Sequence, residues 1–385
     1  MTRSAFITHT AHCLPNAPVG NEDMERLLGM VGGRASRARA VVLRSNGIVS
    51  RHYAIDPATG ISTHSNTDLT AEAIRGLGQQ GAPLQNLELL ACGTTMPDQI
   101  APGHGVMVHG AIGTPTCEVA SLGGICVAGT LALKHAFMSV AGGFTENAVA
   151  SGSERSSAQM RAWQFEGEMD ARTAALEKRP ALAFEKDFLR WMLSDGAGAF
   201  WIAPAPRAGG LSLRIDFIDI FSYAHDYPPC MYAGAEKAED GSLSGWRDAG
   251  SHAALAKRSL LALKQDVRLL DTGIAETSKR AFRDLLAKRP QLRAEAIDWF
   301  LPHYSSAYFR PVMRAAMPPE FVIPEERWFS NLARVGNVGA ASIYLMIDEL
   351  FHSAQLKAGQ QLLCFVPESG RFTMSFIHLT VVAGA

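Results

Sequence analysis

A cysteine in a glycine-rich turn is the strongest candidate for nucleophilic chemistry in this sequence. Cys126 lies within residues 123–129 (Gly-Gly-Ile-Cys-Val-Ala-Gly), and a helical pattern follows over residues 130–138. The turn predicts a helix N-terminus at Cys126, where unpaired N–H groups and the helix dipole favour a thiolate. The alternative is a small buried cysteine that packs beneath the helix.

A histidine and an asparagine in the second half of the chain could complete such a site. The pattern predicts a strand over residues 296–301 that ends at Pro302-His303, and Asn337 lies in a turn over residues 334–339 before a predicted helix. Both side chains can donate hydrogen bonds to an oxygen that gains negative charge. Taken alone, His303 could be a polar residue that makes its hydrogen bonds within the protein, and Asn337 could be a turn residue with positive φ.

The spacing of these positions indicates an internal duplication. A strand end at Thr94 precedes Cys126 by 32 residues, and the strand end at His303 precedes Asn337 by 34 residues. Strands that alternate with helices favour mainly parallel sheets covered by helices, and side chains at the carboxyl ends of such strands converge. We therefore expect two α/β halves, residues 1–205 and 206–385, that bring Cys126, His303 and Asn337 together.

Composition excludes several classes of protein. The 385 residues are 47% hydrophobic and 19% charged with a formal net charge of −1, so the chain can fill a large core and has no global attraction to nucleic acid. No apolar run approaches the length of a membrane span, and the start of the chain lacks an apolar leader segment, so we expect a cytoplasmic protein without membrane contact. Six cysteines contain no Cys-x-x-Cys pair, and we predict neither a metal site nor a cofactor.

Two other segments carry local expectations. Residues 32–51 contain five arginines and no acidic residue, which could be a solvated basic face or an anion site for a phosphopantetheine arm or an acidic carrier protein. Within this segment, Arg44 and Arg51 are the candidates for binding the carrier protein or the phosphopantetheine arm. Residues 158–192 are charged with apolar anchors and predict a cap inserted over the core, while residues 251–286 predict helical structure.

Together these residues resemble the thiolase superfamily, and within it the β-ketoacyl carrier-protein synthase III group, over nearly the whole length. Residues 46–51 (Asn-Gly-Ile-Val-Ser-Arg) are similar to the group's Gly-Ile-x-x-Arg motif, and Cys126 matches its nucleophile turn. Residues 194–199 (Ser-Asp-Gly-Ala-Gly-Ala) match its Gly-Asp-Gly-Ala-Gly-Ala turn. Residues 301–303 and 336–337 resemble its catalytic histidine and asparagine segments.

The resemblance implies a duplicated thiolase-like α/β fold, layered α-β-α-β-α with two mixed five-stranded sheets. It implies that Cys126 takes an acyl group from a thioester, that His303 and Asn337 stabilise the enolate of an extender, and that backbone N–H groups of Cys126 and near Gly370 bind the oxyanion. It also implies a homodimer that uses acyl carrier protein or coenzyme A thioesters as substrates.

Several departures from the group narrow the expected reaction. Tyr304-Ser305-Ser306 follows the histidine where the group has Gln-Ala-Asn, and the region of residues 34–44 lacks the tryptophan that stacks on coenzyme A. Residues 53–56, 63–66 and 367–372 look instead like the ketosynthase/cyclases that form dialkylresorcinols and bacterial stilbenes. The expected product is a cyclohexane-1,3-dione. The alternatives are a plain synthase III with linear products and a non-catalytic partner subunit.

Overall fold

A nine-stranded mixed sheet runs through the computed structural model, which describes residues 3–36, 39–166 and 189–384. The strands in chain order are β1 (Phe6–Cys13), β2 (Val19–Gly20), β3 (Ser50–Arg51), β4 (Leu89–Thr94), β5 (Glu118–Gly123), β6 (Ala148–Arg155), β7 (Asp195–Ala203), β8 (Leu211–Ser222), β9 (Met231–Tyr232), β10 (Ala235–Lys237), β11 (Leu243–Gly245), β12 (Lys264–Gln265), β13 (Trp299–Pro302), β14 (Gln361–Glu368) and β15 (Thr373–Ala383). The order in the main sheet is β13-β14-β15-β8-β1-β7-β6-β4-β5.

The described residues also form α-helices. They are α1 (Met24–Leu28), α2 (Arg39–Asn46), α3 (Asn66–Gln79), α4 (His104–Ile112), α5 (Val127–Gly142), α6 (Ser156–Gln159), α7 (His252–Lys257), α8 (Val267–Lys288), α9 (Arg310–Ala316), α10 (Leu332–Val335) and α11 (Ser342–His352). Within this part of the chain, no helix combines the length and the apolar character needed to cross a bilayer.

The two ends of the sheet repeat one pairing pattern. Strand β6 is parallel to β4 and antiparallel to β7, which is antiparallel to β1. In the same way β14 is parallel to β13 and antiparallel to β15, which is antiparallel to β8. Strand β5 lies parallel beside β4, and the corresponding place beside β13 is taken by a single parallel bridge between Phe300 and Trp328.

The predicted α/β class and its layering are confirmed, but the strand count is different. Instead of two separate five-stranded sheets, one continuous sheet of nine strands forms, because β1 pairs with β8 through Phe6 and Ile7. The strand expected to complete the second group of five is reduced to the bridge at Trp328.

Helices α5 and α11 form the middle layer. Helix α5 contacts β4 and β6 on one side and β14 and β15 on the other, while α3 and α4 cover the outer face of the first group of strands and α8 contacts β15 from the opposite side. An apolar cluster surrounds these two helices and includes residues of both groups of strands. Its members include Leu133, Phe200, Ile343 and Leu362. Burial on both sides explains why α5 is built of small and apolar residues rather than one amphipathic face.

Two glycines permit the close contact between the halves. A Cβ atom on Gly129 or Gly152 would lie 2.2 or 2.3 Å from the carbonyl oxygen of Ala340, far inside van der Waals distance. The loop that carries Asn337 can therefore approach α5 and β6 only because neither position has a side chain.

Residues 251–286 are not continuously helical, which corrects the prediction for this segment. Helix α7 ends at Lys257, Ser259 has a positive φ of 44°, and β12 pairs antiparallel with β9 before α8 begins. The side chain of Asp266 accepts the backbone N–H of Leu269 and thereby defines a separate N-terminus for α8. Of the predicted cap, residues 167–188 lie outside the described residues.

We expect Gly152→Ala to lower the free energy of unfolding by about 1–3 kcal/mol, because the added methyl group must displace the Ala340 backbone. Gly110→Ala in α4 is the matched control, since nothing lies within 4 Å of its Cβ position. The control should be neutral or stabilising by up to ~1 kcal/mol. Urea unfolding measures both variants, and equal stability of the two would contradict the close contact.

Candidate active site

Cys126 lies where the sequence predicts, at the N-terminus of α5. It is the N-cap residue of the helix and is 7% exposed. The expected lowering of its pKa is wrong, however. Burial raises the pKa of the Cys126 thiol, and the nearby carboxyl groups of Glu368 and Glu154 raise it further. With its pKa raised in this way, Cys126 is mainly a thiol near neutral pH.

His303 directly follows β13 and points into a cavity that Cys126 also lines. Its backbone N–H donates to the carbonyl oxygen of Phe365 at 2.8 Å, which continues the pairing of β13 with β14 by one residue. Burial lowers the pKa of the imidazole to about 4, so the ring is neutral at pH 7. A neutral imidazole keeps one N–H, so it can donate a hydrogen bond without carrying charge.

Asn337 is held by backbone hydrogen bonds on both sides. Its N–H donates to the carbonyl oxygen of Met192 at 3.0 Å, and its own carbonyl oxygen accepts the N–H of Ser194 at 2.9 Å. The side-chain oxygen Oδ1 accepts the N–H of Gly339 at 2.9 Å. Because Oδ1 is used in this way, the amide group Nδ2 is the end available to donate to a substrate.

Two cavities meet at Cys126. The first, named here the amide cavity, contains Asn337 and has these lining residues: Thr95, Met96, Ile125, Cys126, Glu154, Arg155, Ser156, Gln159, Leu193, Met231, Leu263, Asn337 and Gly339. The second, the imidazole cavity, contains His303 and is lined by Cys126, Leu270, Ile274, His303, Tyr304, Ser305, Phe309, Met313, Pro367 and Ser369. The structure thus brings the three predicted catalytic residues to one junction.

Glu154 is a candidate functional residue that the sequence did not single out. It is buried at the end of β6, and its Oε1 accepts hydrogen bonds from the N–H and hydroxyl of Thr95 and from the N–H of Ala340. Its second oxygen, Oε2, accepts none of these three. Burial raises the pKa of the carboxyl group to about 7, which suits a base that works near neutral pH. The available sequence signal is an acidic residue at the end of a buried strand.

The predicted Ser-Asp-Gly-Ala-Gly-Ala turn is instead the start of β7, and it contributes to the site through Asp195. Its carboxylate accepts the N–H of Ala54 at 2.7 Å and both the N–H and the hydroxyl of Ser157. Burial raises the pKa of Asp195 to about 6. This side chain ties three segments together beside the amide cavity.

The arginine predictions have different outcomes. Arg51 is fully buried, and its guanidinium donates to the carbonyl oxygen of Trp191 and to the side chain of Asn21, so the prediction that it binds a carrier or phosphopantetheine is wrong. It satisfies buried acceptors, as an interior cation must. Arg44 is exposed on α2, and its role in carrier binding stays a prediction.

Gly370 lies beside the nucleophile turn. A Cβ atom there would be 3.0 Å from Cδ1 of Ile125, the residue before Cys126. Its carbonyl oxygen accepts the N–H of Cys230 at 2.8 Å. This contact is one residue before Cys126, and the role of the segment in the oxyanion hole stays a prediction.

Known proteins share both the sequence and the fold. The C-terminal part of 3-oxoacyl-[acyl-carrier-protein] synthase III, as a family model, matches residues 287–375. β-Ketoacyl-[acyl-carrier-protein] synthase III of Hyphomonas neptunium is 22% identical over 365 residues, which cover 94% of this chain and 95% of that protein. The enzyme of the same name from Xanthomonas axonopodis pv. citri is 23% identical over 358 residues, 93% of this chain and 92% of that protein.

Solved structures superpose over almost the full length. AbyA1, a tetronic acid condensing enzyme, gives a TM-score of 0.74 at 20% identity and covers 98% of this chain and 99% of its own. Xanthomonas campestris OleA, in a structure with bound lauric acid and lauroyl-CoA, gives 0.70 at 17% identity and covers 99% and 100%.

These similarities confirm the thiolase-like fold and the resemblance to the β-ketoacyl synthase III group. The chain is therefore similar in sequence to β-ketoacyl-[acyl-carrier-protein] synthase III enzymes and shares its fold with condensing enzymes.

Proposed function

We propose that this protein joins an acyl chain bound to Cys126 with a β-ketoacyl or malonyl thioester, and that the product closes to a cyclohexane-1,3-dione. The observation that carries the proposal is the junction of two cavities at one buried cysteine. The imidazole cavity has apolar lining residues from α8 and α9, namely Leu270, Ile274 and Met313, and its volume of about 30 Å³ requires these side chains to move before an acyl chain fits. The amide cavity brings Asn337 and Glu154 to the same sulfur.

In the first step the Cys126 sulfur attacks the thioester carbonyl. The new bond joins Cys126 to the acyl group, the bond to the carrier sulfur breaks, and the thiol proton leaves with the carrier thiol. Because burial and two carboxyl groups oppose the thiolate, proton removal must accompany attack rather than precede it. The Cys126 N–H, with a second donor near Gly370, would bind the oxyanion.

In the second step an extender forms a carbanion, by loss of carbon dioxide from malonyl or of a proton from β-ketoacyl, and attacks the acyl carbonyl. The new carbon–carbon bond forms as the bond to the Cys126 sulfur breaks, and this sulfur takes up the proton that the β-ketoacyl group lost or, after loss of carbon dioxide, a proton from solvent. The N–H donors of neutral His303 and of Asn337 Nδ2 stabilise the negative oxygen of the enolate, and loss of one such donor typically costs about 10²–10³-fold in rate.

Ring closure requires a second carbanion, which attacks the thioester carbonyl of the joined chain and expels the carrier thiol. Glu154 is the group that we assign to remove the proton that forms this carbanion, and the proton then passes to the departing thiolate. The carboxyl group lines the amide cavity, its Oε1 is fixed by Thr95 and Ala340, and its pKa of about 7 makes it half ionised near neutral pH. A plain synthase III would not need such a base. Glu154 therefore supports a reaction that removes a proton, as ring closure does, over plain decarboxylation of a malonyl extender.

We further propose a cytoplasmic homodimer of two-half protomers (residues 1–205 and 206–385) that receives substrates from acyl carrier protein or coenzyme A. The strand pairing that is repeated at the two ends of the sheet supports this division into two halves. Strand β5 forms one edge of the sheet, and apolar side chains are exposed on the nearby helices, among them Val106 on α4 and Met138 on α5. Light scattering should give twice the protomer mass of 41.4 kDa, and a monomer would contradict the dimer.

Mass spectrometry of products tests the reaction. Purified enzyme is incubated with one acyl thioester and one β-ketoacyl thioester, and Cys126→Ala is the control. We expect a cyclic dione that the variant does not form. A linear decarboxylated product from malonyl thioester alone would assign ordinary synthase III chemistry, and a product rate that Cys126→Ala leaves unchanged would favour the partner-subunit alternative.

The pH dependence of cyclisation tests Glu154. A base with a raised pKa of about 7 is protonated below that pH and active above it, so the ratio of cyclic to linear product should rise from pH 6 to pH 8. Glu154→Gln keeps an acceptor oxygen for Thr95 and Ala340 but cannot take up a proton. We expect this variant to form the acyl adduct on Cys126 normally. Its ratio of cyclic to linear product should not increase from pH 6 to pH 8. An unchanged pH profile in Glu154→Gln would rule out this role.

A further inference from the structure

Glu368, the last residue of β14, makes an unusual contact with the nucleophile turn. Its Oε2 accepts the backbone N–H of Ile125 at 2.9 Å and that of Val127 at 3.3 Å. These two N–H groups flank that of Cys126 at the start of α5. The carboxyl group is buried, with 8% of the residue exposed.

We propose that Glu368 is a positioning residue that fixes the nucleophile turn and sets the reactivity of Cys126. By binding the N–H groups on either side, it leaves the N–H of Cys126 itself as the donor that this turn can offer an oxyanion. Burial raises the pKa of Glu368, while the N–H groups of Ile125 and Val127 lower it. When ionised, this carboxyl group places negative charge at the helix N-terminus, which in its absence would stabilise a thiolate. This inference rests on the proposed role of Cys126 as the nucleophile.

Other charged or titratable groups face Cys126 from the surrounding elements. Glu154 from β6 adds a second carboxyl group, and Arg155 lines the same cavity. His303 and Tyr304 follow β13 and line the imidazole cavity, and His303 is neutral at pH 7. Of these groups, Glu368 is the one bonded directly to the turn, so its substitution changes both geometry and charge there.

Two substitutions separate these effects. Glu368→Gln keeps an oxygen that accepts the two N–H groups but removes the charge, whereas Glu368→Ala removes both. Glu88→Gln is the matched control, because its Oε2 also accepts a backbone N–H, that of Glu146 at 2.8 Å, on the exposed surface. The measurements are alkylation of Cys126 by iodoacetamide at pH 7 to 9, resolved from the other cysteines by peptide mass spectrometry, and acyl transfer to Cys126 from an acyl thioester.

Removal of the charge should lower the pKa of Cys126 and raise the thiolate fraction at every pH below that pKa. We expect Glu368→Gln to be alkylated about 3–10-fold faster than the wild type across this range, with acyl transfer retained. Glu368→Ala should also be alkylated faster but lose about 10-fold or more in acyl transfer, because the turn is no longer held in place. Glu88→Gln should match the wild type in both assays.

Equal alkylation rates in Glu368→Gln and the wild type would overturn the effect of charge on Cys126. Full acyl transfer in Glu368→Ala would overturn the positioning role. Alkylation does not require Cys126 to be catalytic, so these outcomes differ from failure of the proposed function, in which the wild type itself would form no acyl adduct on Cys126.

Discussion

The structure depends on the contact between the Ala340 backbone and the two glycines, Gly129 in α5 and Gly152 in β6. No side chain fits at either glycine, so the loop that follows Asn337 lies directly against the helix that carries Cys126. The N–H of Ala340 donates to Glu154 in the same contact. One backbone segment from the second half of the chain therefore fixes Cys126, Asn337 and Glu154 relative to one another.

Burial at this contact determines whether the side chains of Cys126, Glu154 and His303 carry charge. Burial disfavours charge on three side chains at the site, so the pKa values of Cys126 and Glu154 rise and that of His303 falls. A neutral imidazole and an amide can both stabilise an enolate as donors without adding fixed charge. In the proposed reaction Cys126 is protonated before it attacks, so attack must be coupled to loss of the thiol proton.

The sequence predicted the parts of this arrangement that depend on local pattern. A glycine-rich turn before an apolar helix identified the position of Cys126, and strand ends identified those of His303 and Asn337, because such features are encoded within about ten residues. The fold class followed from the alternation of strands and helices and from the resemblance to known condensing enzymes.

The features that the sequence did not predict depend on residues far apart in the chain. The raised pKa of Cys126 arises partly from Glu368, which follows it by more than 240 residues. Arg51 was expected at the surface, but it binds the carbonyl of Trp191 in the interior. The predicted helix over residues 251–286 is interrupted because β12 pairs with β9. The helical periodicity of the segment carries no information about this pairing.

The central claim is that Cys126, at the junction of two cavities, carries the acyl chain. Intact-protein mass spectrometry after incubation with a single long-chain acyl thioester tests this claim most directly, with the modified residue located by peptide mapping. The structure predicts a mass increase of one acyl group, located on Cys126 and absent from Cys126→Ala. An unmodified wild-type protein, or an adduct that persists in Cys126→Ala, would contradict it.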